Sequence, residues 1–433
     1  MKKEIIQKAR GTRDFGPQEK IVRNQIIDTL RRVFELYGYN PIETPTIERF
    51  ELFASKYGIG ETSDAMKETF KFKDQGDRDL VLRTEFTVPF ARFIGSNKQL
   101  KMPFKRYQIG QVFRDGPIKF GRYREFWQCD VDAIGIKNNL IDAELIDLIN
   151  TVFDALDLNV EIKLNNRKIL NAILTKAQIE EKDQKKAIVI IDKLDKIGWQ
   201  GVTKELKESN FADKQIEQLI SIIDISGTND EILQKLESFI GKDNEGIIEI
   251  KNTLEKLSNS SNIKIIPALA RGLAYYTGNI FEVFLANSDF SSAICGGGRY
   301  DNMISGILAQ KEEIPAIGVS FGLDTIFDVY TQKNKLSKQT LTQLLLVPMG
   351  DEAESRVIEY ASILRNNDIK TDIAFNNKKL GKVFDYANSY DIPFVAVIGE
   401  NEIKKAKFSL KNMTTGKQKM YSLAKLIKQI KQA

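Results

Sequence analysis

Apolar positions along the chain follow two different periods, and the change of period marks where helices give way to sheet. Ile21, Val22, Ile26, Ile27, Leu30, Val33, Phe34 and Tyr37 recur every three or four residues, forming one stripe of a long helix that ends near Gly38. Residues 39–45 then read as an extended segment. Pro41 and Pro45 cannot donate to a central ladder, which assigns this segment to a sheet edge or a subunit contact. Runs rich in β-branched and aromatic residues at 81–83, 106–112, 126–134 and 279–284 read as strands. Loops rather than regular helices separate them, so the expected sheet is antiparallel and the fold class is α+β. Between 165 and 260 the chain turns to Lys, Glu, Gln, Ile and Leu with helical spacing, as in Ile216–Ile223 and Ile232–Ile240, which predicts an inserted helical module. From about 341, strands at 344–348, 369–374 and 394–399 alternate with helices at 352–364 and 380–389. That alternation predicts a small α/β domain with a mainly parallel sheet, joined through a linker at 331–342.

Composition narrows the chemistry. A chain of 433 residues is too long for one ordinary core, and 42% hydrophobic with 28% charged residues is normal for a globular protein. No run approaches the roughly 18 apolar residues of a membrane span. The N-terminus lacks the apolar block of a secretory signal, so the expectation is a cytoplasmic protein with no membrane partner. Cys129 and Cys295 are the only cysteines, too few for a zinc site, and both read as buried small residues. The chain contains no histidine, which removes His general bases, His metal ligands, Ser-His-Asp triads and Cys-His dyads together. Carboxylates, Arg, Lys, Tyr, backbone and substrate remain. Net charge is +5, yet residues 401–433 carry nine lysines against Glu402. This basic tail suits a phosphate backbone, or equally a solvated lysine-rich helix.

Three segments group residues with chemical potential. Residues 113–132 place Arg114, Arg122 and Arg124 around a Gly/Pro turn between two strands, and arginine forks suit phosphate and carboxylate. Without context this is an exposed hairpin. Gln128 and Asp132, four apart on one strand, point to the same face. Residues 270–282 offer Tyr275 and Tyr276 as an apolar wall with hydroxyls, beside the fixed charge of Arg271. A tyrosine pair is otherwise ordinary core. In residues 81–92, Glu85 and Thr87 alternate onto one face of a strand end, where they suit an amino group.

The sequence Gly121-Arg122-Tyr123-Arg124-Glu125-Phe126 within 113–132 resembles motif 2 of class II aminoacyl-tRNA synthetases in the form found in histidine–tRNA ligases. Residues 270–282 are similar to that family's Arg-Gly-Leu-Asp-Tyr-Tyr signature, residues 83–87 to its Arg-x-Glu/Asp-x-Thr strand end, and 294–301 with 315–326 to its motif 3 region. The resemblance implies a class II catalytic domain over 1–330, with the insertion at 165–260, and an anticodon-binding-like α/β domain over 341–433. It implies activation of histidine by ATP with Mg2+, transfer to histidine tRNA, and a homodimer, with no protein-built metal site. Arg114 and Arg271 would then be catalytic. Glu85, Thr87, Arg114, Gln128, Asp132, Arg271, Tyr275 and Tyr276 would hold histidine, and Arg114, Arg122 and Gly322 would hold ATP. Lys119, Arg122, Lys404 and Lys405 would meet the tRNA. Three positions depart from the family pattern: Gly116 and Ala274 stand where an acidic residue is usual, and Thr325 stands where an arginine binds the γ-phosphate. Lys119, Arg122 and Arg299 are the candidates to supply that missing charge. These departures are what an impaired paralogue would show, such as a histidine or tRNA sensor or a regulatory subunit of histidine biosynthesis. A general nucleic-acid binder rests on the lysine-rich tail alone.

Overall fold

A computed structural model describes residues 6–57, 67–271, 275–334, 336, 339–375 and 379–432. Two compact units emerge, the first made of residues 1–13 and 26–333, the second of 14–25 and 334–433. In chain order the first holds strands β1 (Asn40–Pro41), β2 (Ile47–Arg49), β3 (Lys71–Lys73), β4 (Asp79–Leu82), β5 (Phe104–Phe113), β6 (Glu125–Ile134), β7 (Val160–Asn166), β8 (Ile263–Ile265), β9 (Asn279–Leu285), β10 (Cys295–Arg299) and β11 (Ala316–Gly322). Its main sheet runs β1-β5-β6-β11-β10-β9-β7-β8. Only the end pairs β1–β5 and β7–β8 are parallel, and the central ladders are antiparallel. The expected α+β class is thus realised, and the proline segment forms the two-residue edge strand β1.

Alternation along the strands gives the sheet two unlike faces. Residues 26–36 of the helix Pro17–Leu36, with the helix Leu140–Ala155, cover one face. There Phe34 and Phe153 meet Phe321 of β11 with ring centroids 5.5 and 5.8 Å apart, and all three are fully buried. The positions between, on β6 and β11, carry Gln128, Asp130, Asp132 and Ser320 to the opposite face. A three-stranded sheet, β2-β4-β3, adjoins a cluster built on Phe53, Val81 and Phe90. Helices spanning 167–176, 181–191, 194–208, 213–223, 229–240 and 245–255 occupy the stretch where the sequence predicts the helical module.

Close strand approach explains two glycines of the triplet at 296–298. A Cβ on Gly297 would lie 2.0 Å from the Gly318 carbonyl oxygen, and one on Gly298 2.5 Å from that of Asn279. These two serve the packing of β10 between β9 and β11.

The second unit contains β12 (Leu344–Met349), β13 (Thr371–Ile373), β14 (Phe394–Gly399), β15 (Phe408–Asn412) and β16 (Gln418–Tyr421), ordered β13-β12-β14-β15-β16. The first three are parallel as expected, but β15 and β16 add an antiparallel hairpin. The lysine-rich tail is therefore mixed. Phe408 and Leu410 point into the core, Lys411 lies over the Phe384 ring, Lys417 and Lys419 are exposed, and a final amphipathic helix, Leu423–Lys431, buries Leu426 and Ile430.

Candidate active site

A cavity of about 490 Å3 opens on the polar face of the main sheet. Glu85, Thr87, Arg114, Gln128, Asp132 and Arg271 all line it, as do Tyr275, Tyr276, Lys119, Arg122 and Gly322. Eleven residues drawn from 85 to 322 thus converge on one space. Lys404 and Lys405 lie elsewhere, exposed at the end of the short helix Glu400–Lys404 in the second unit.

The hairpin between β5 and β6 supplies the arginines. Arg114 donates from Nε to the Thr84 carbonyl at 3.0 Å and lies 5.1 Å from the Phe126 ring centroid, with no carboxylate partner among the described residues. Arg122 is paired with Glu68 at 2.8 Å, and Arg124 with Asp115 at 3.0 Å. Glu68 also packs against Gly116, where a Cβ would fall 2.7 Å from its carboxyl carbon. The acidic group that position 116 lacks is therefore brought by a residue 48 positions earlier, and Asp115 is occupied by Arg124 instead.

Behind the hairpin, Arg13 forks onto Asp324 at 2.6 Å and Asp328 at 2.7 Å. Its guanidinium lies 3.7 Å from the Tyr123 ring centroid, and the Tyr123 hydroxyl donates to Asp328 at 2.9 Å. Asp324 in turn accepts the backbone N–H of Trp127 at 2.7 Å. Burial opposes the charge on Arg13, but these two carboxylates outweigh it and raise its pKa. Thr325, the position lacking arginine, donates to the Gly121 carbonyl at 3.3 Å and so ties the hairpin tip to the helix Leu323–Lys333. Arg299 is not available to replace it. That side chain is almost fully buried in an ion pair with Asp142 at 2.6 Å and does not line the cavity. Lys119 and Arg122 do line it.

Glu85 and Thr87 reach the cavity by another route than the expected strand end. The strand stops at Leu82, and Thr87 begins the helix Thr87–Ser96, whose Pro89 sits in the first turn, where a missing N–H is harmless. Glu85 accepts the backbone N–H of Val88 at 2.9 Å and of Thr87 at 3.3 Å, satisfying donors the helix start leaves open.

On the far wall, the Tyr275 and Tyr276 rings lie 4.7 Å apart, and Tyr275 meets Tyr300 edge-on at 6.1 Å. Burial pushes the Tyr275 hydroxyl well above its usual range. Arg271 sits 3.4 Å from Glu282, and its Nη1 has no acceptor among the described residues. Burial works against its charge, yet the neighbouring Tyr276 and Glu282 raise its pKa, so it remains a cation. Its φ of 30° is unusual for a residue with a side chain, a strain of the kind that functional loops retain. Ala274 lies outside the described residues.

The floor holds groups the sequence reading passed over. Arg106 is fully buried with Nη2 2.6 Å from Asp132 Oδ2, and the Tyr300 hydroxyl donates to Asp132 Oδ1. Asp130, 5% exposed, also lines the cavity, with Ser320 beside it. The period-two argument that paired Gln128 with Asp132 includes Asp130 between them, so that signal was present. Arg106 and Glu68 carried none, because their partners lie far along the chain.

No group of three or more Asp, Glu or Cys side chains able to hold a metal ion occurs among the described residues. Of the acidic side chains at the cavity, Glu68 is paired with Arg122, Asp132 with Arg106, and Glu85 accepts helix donors.

Comparison with known proteins agrees with the motif resemblance. The family described as histidyl-tRNA synthetase matches residues 11–326, and the anticodon binding domain family matches residues 343–433. The histidine–tRNA ligase 2 of Shouchella clausii is 40% identical over 422 residues, covering 96% of this chain and 98% of that protein. The histidine–tRNA ligase of Clostridium tetani is 38% identical over 449 residues and covers all of both chains. The crystal structure of histidyl-tRNA synthetase from Nostoc sp. PCC 7120 superposes with a TM-score of 0.84 at 31% identity, covering 99% of each chain. Sequence motifs, sheet topology and cavity lining therefore lead to one conclusion: this chain belongs to the histidyl-tRNA synthetase family.

Proposed function

We propose that the chain is a histidine–tRNA ligase, which joins histidine to ATP as histidyl-adenylate and transfers it to histidine tRNA. The observation that carries this reading is the single cavity in which Arg114 and Arg271 face the carboxylate floor of β6 beside a tyrosine pair. The substrate carboxylate attacks the α-phosphorus in line, a new P–O bond forms, and pyrophosphate leaves with the electron pair of the broken bond. Arg114 and Arg271 meet the charge that develops on the α-phosphoryl oxygens, where fixed cations in a partly dry site act most strongly. Lys119 and Arg122 on the hairpin, with Gly322, attend the rest of the nucleotide and the tRNA acceptor end. Glu85, Thr87 and Gln128 hold the ammonium, and Tyr275 and Tyr276 wall the imidazole. The ATP phosphates and water would supply most of the ligands of a magnesium ion, which would neutralise phosphate charge. No enzyme histidine is needed for any step.

The second unit, with Lys404 and Lys405 exposed, serves the tRNA stem. The chain acts as a homodimer in the cytoplasm, and light scattering on the purified protein checks the dimer. No described helix is long and apolar enough to cross a membrane. The paralogue reading is not favoured, since relatives named as ligases match nearly end to end, anticodon domain included. Histidine-dependent ATP–pyrophosphate exchange tests the assignment.

A further inference from the structure

Arg271 faces the cavity with one edge of its guanidinium already held. Its Nε lies 3.4 Å from Oε1 of Glu282, the one carboxylate within ion-pair distance of it among the described residues. The fork packs against β10, where a Cβ built on Gly296 would stand 2.8 Å from Nη1, 3.2 Å from Cζ and 3.3 Å from Nη2. Gly296 is the direct neighbour of Glu282 in the β9–β10 ladder, so the bare glycine makes the room and the next strand supplies the clamp. With Nε engaged, Nη1 is buried and without an acceptor among the described residues. A buried donor left open is costly unless a ligand meets it.

Glu282 does not itself line the cavity, and its surroundings leave it to Arg271. Lys163 stands opposite it on β7, but the Lys163 ammonium lies 4.2 Å from the Phe284 ring centroid instead. Asp192 and Asp195, where the helix Glu181–Ile191 gives way to the helix Leu194–Glu208, carry the same sign as Glu282 and repel it. Tyr276 flanks the fork, its ring centroid 5.4 Å from Arg271 Cζ.

We propose that Glu282 is a positioning residue for adenylate formation, fixing the Arg271 fork so that its open Nη1 meets the α-phosphoryl oxygens as their charge develops. The inference rests on the reading of this cavity as the histidine-activation site with Arg271 as an α-phosphate cation. An arginine side chain has many rotamers, and a fork held in advance spares that ordering at the moment of reaction. Substrate binding tolerates a wandering cation better than the transition state does, so the clamp acts on kcat more than on KM. Its charge is part of the clamp. Burial raises the Glu282 pKa, Asp192 and Asp195 add to that, and Arg271 and Lys163 oppose it. The pair therefore weakens as pH falls and Glu282 takes up a proton.

The test follows kcat and both KM values in histidine-dependent pyrophosphate exchange by the full chain. It compares wild type, Glu282→Gln, Glu282→Asp, Arg271→Gln and the double variant Arg271→Gln, Glu282→Gln. Removing a charge-stabilising donor outright costs about a hundred- to a thousandfold in kcat, so losing only its clamp is expected to cost about ten- to a hundredfold. Glu282→Gln shows that loss in kcat, with the histidine and ATP KM within about threefold of wild type. Glu282→Asp, which keeps the charge on a shorter stem, recovers part of it. In the Arg271→Gln background, Glu282→Gln changes kcat by less than about twofold, because no fork is left to position. The ratio of wild-type to Glu282→Gln kcat shrinks as pH is lowered from 8 to 5, a ratio in which the titration of histidine itself cancels. Calorimetric ATP binding reports whether each variant is folded, and if Glu282→Gln is not, the same comparison made with Glu282→Asp in both backgrounds decides. The inference is overturned if Glu282→Gln leaves kcat unchanged, if its loss lies wholly in a KM, or if Glu282→Asp is no better than Glu282→Gln. It is also overturned if the loss is as large without Arg271 as with it, or if the kcat ratio does not change with pH. A wild-type protein inactive with histidine removes the site reading and this inference together, whereas an active wild type with an indifferent Glu282→Gln removes this inference alone.

Discussion

Replacing Arg106 by Met probes the floor of the cavity where its electrostatics are most exacting. Arg106 is fully buried, and the carboxylate it pairs with is Asp132, at 2.6 Å and 4% exposed. Met fills a similar apolar volume, so the loss is mainly of charge. Removing one partner of a buried pair costs about 3–5 kcal/mol, because the remaining ion stays desolvated. The Asp132 carboxyl already stands above its ordinary value through burial, with Arg106 and Tyr300 pulling it down. Without Arg106 it rises further and holds a proton in the native state. A carboxylate whose native pKa lies above its unfolded value loses stability as pH rises toward that native pKa, by about 1.4 kcal/mol per pH unit for each proton retained. The deficit of Arg106→Met relative to wild type is therefore about 3–5 kcal/mol at pH 8 and smaller by at least about 1–2 kcal/mol at pH 5.5. Urea unfolding at the two pH values measures it, with an unchanged slope as the check on two-state behaviour. The double variant Arg106→Met, Asp132→Leu recovers most of the loss. An equal deficit at both pH values, together with a double variant no more stable than the single, would refute this electrostatic account.

Four further outcomes follow from the same structure. Asp130→Asn removes a carboxyl raised by burial from 3.8 to about 7, so its stability gain over wild type should grow between pH 4 and 7 and level off above, to at most ~4 kcal/mol; a pH-independent difference in urea midpoints would contradict that. Gly297→Ala must push β10 from β11, since its Cβ would meet a backbone oxygen at 2.0 Å, and a drop of about 3 kcal/mol or more in unfolding free energy is expected, against less than 1 if the close approach is unimportant. Arg13→Gln leaves Asp324 and Asp328 without their cation behind the hairpin, and should cost about 2–3 kcal/mol with a larger loss in kcat than in histidine KM, read by steady-state kinetics. A chain without histidine can still be translated when charged histidine tRNA is scarce; its synthesis, followed by pulse labelling under histidine starvation, should be spared relative to the proteome.

Local pattern carried much of this fold to the surface of the sequence. The stripe from Ile21 to Tyr37 became the helix Pro17–Leu36, and the β-branched runs at 106–112 and 126–134 became β5 and β6. These features depend on residues near one another in the chain, where periodicity speaks directly. Glu85 and Thr87 were misread as a strand face because alternation over three residues does not separate a strand end from a helix cap. β15 and β16 escaped notice because lysine at alternate positions of a short hairpin looks like a charged run. The contacts that complete the cavity are long-range. Glu68 against Gly116 and Arg122, Arg106 beneath Asp132, and Arg13 on Asp324 and Asp328 each join residues that only the folded sheet brings together.

Pyrophosphate exchange by the purified full-length protein, with each of the twenty amino acids in turn, tests the central claim most directly. Exchange of label from pyrophosphate into ATP with histidine, and with no other amino acid at comparable concentration, is the predicted result. Absence of exchange with every amino acid, in the presence of tRNA and ATP, would contradict it.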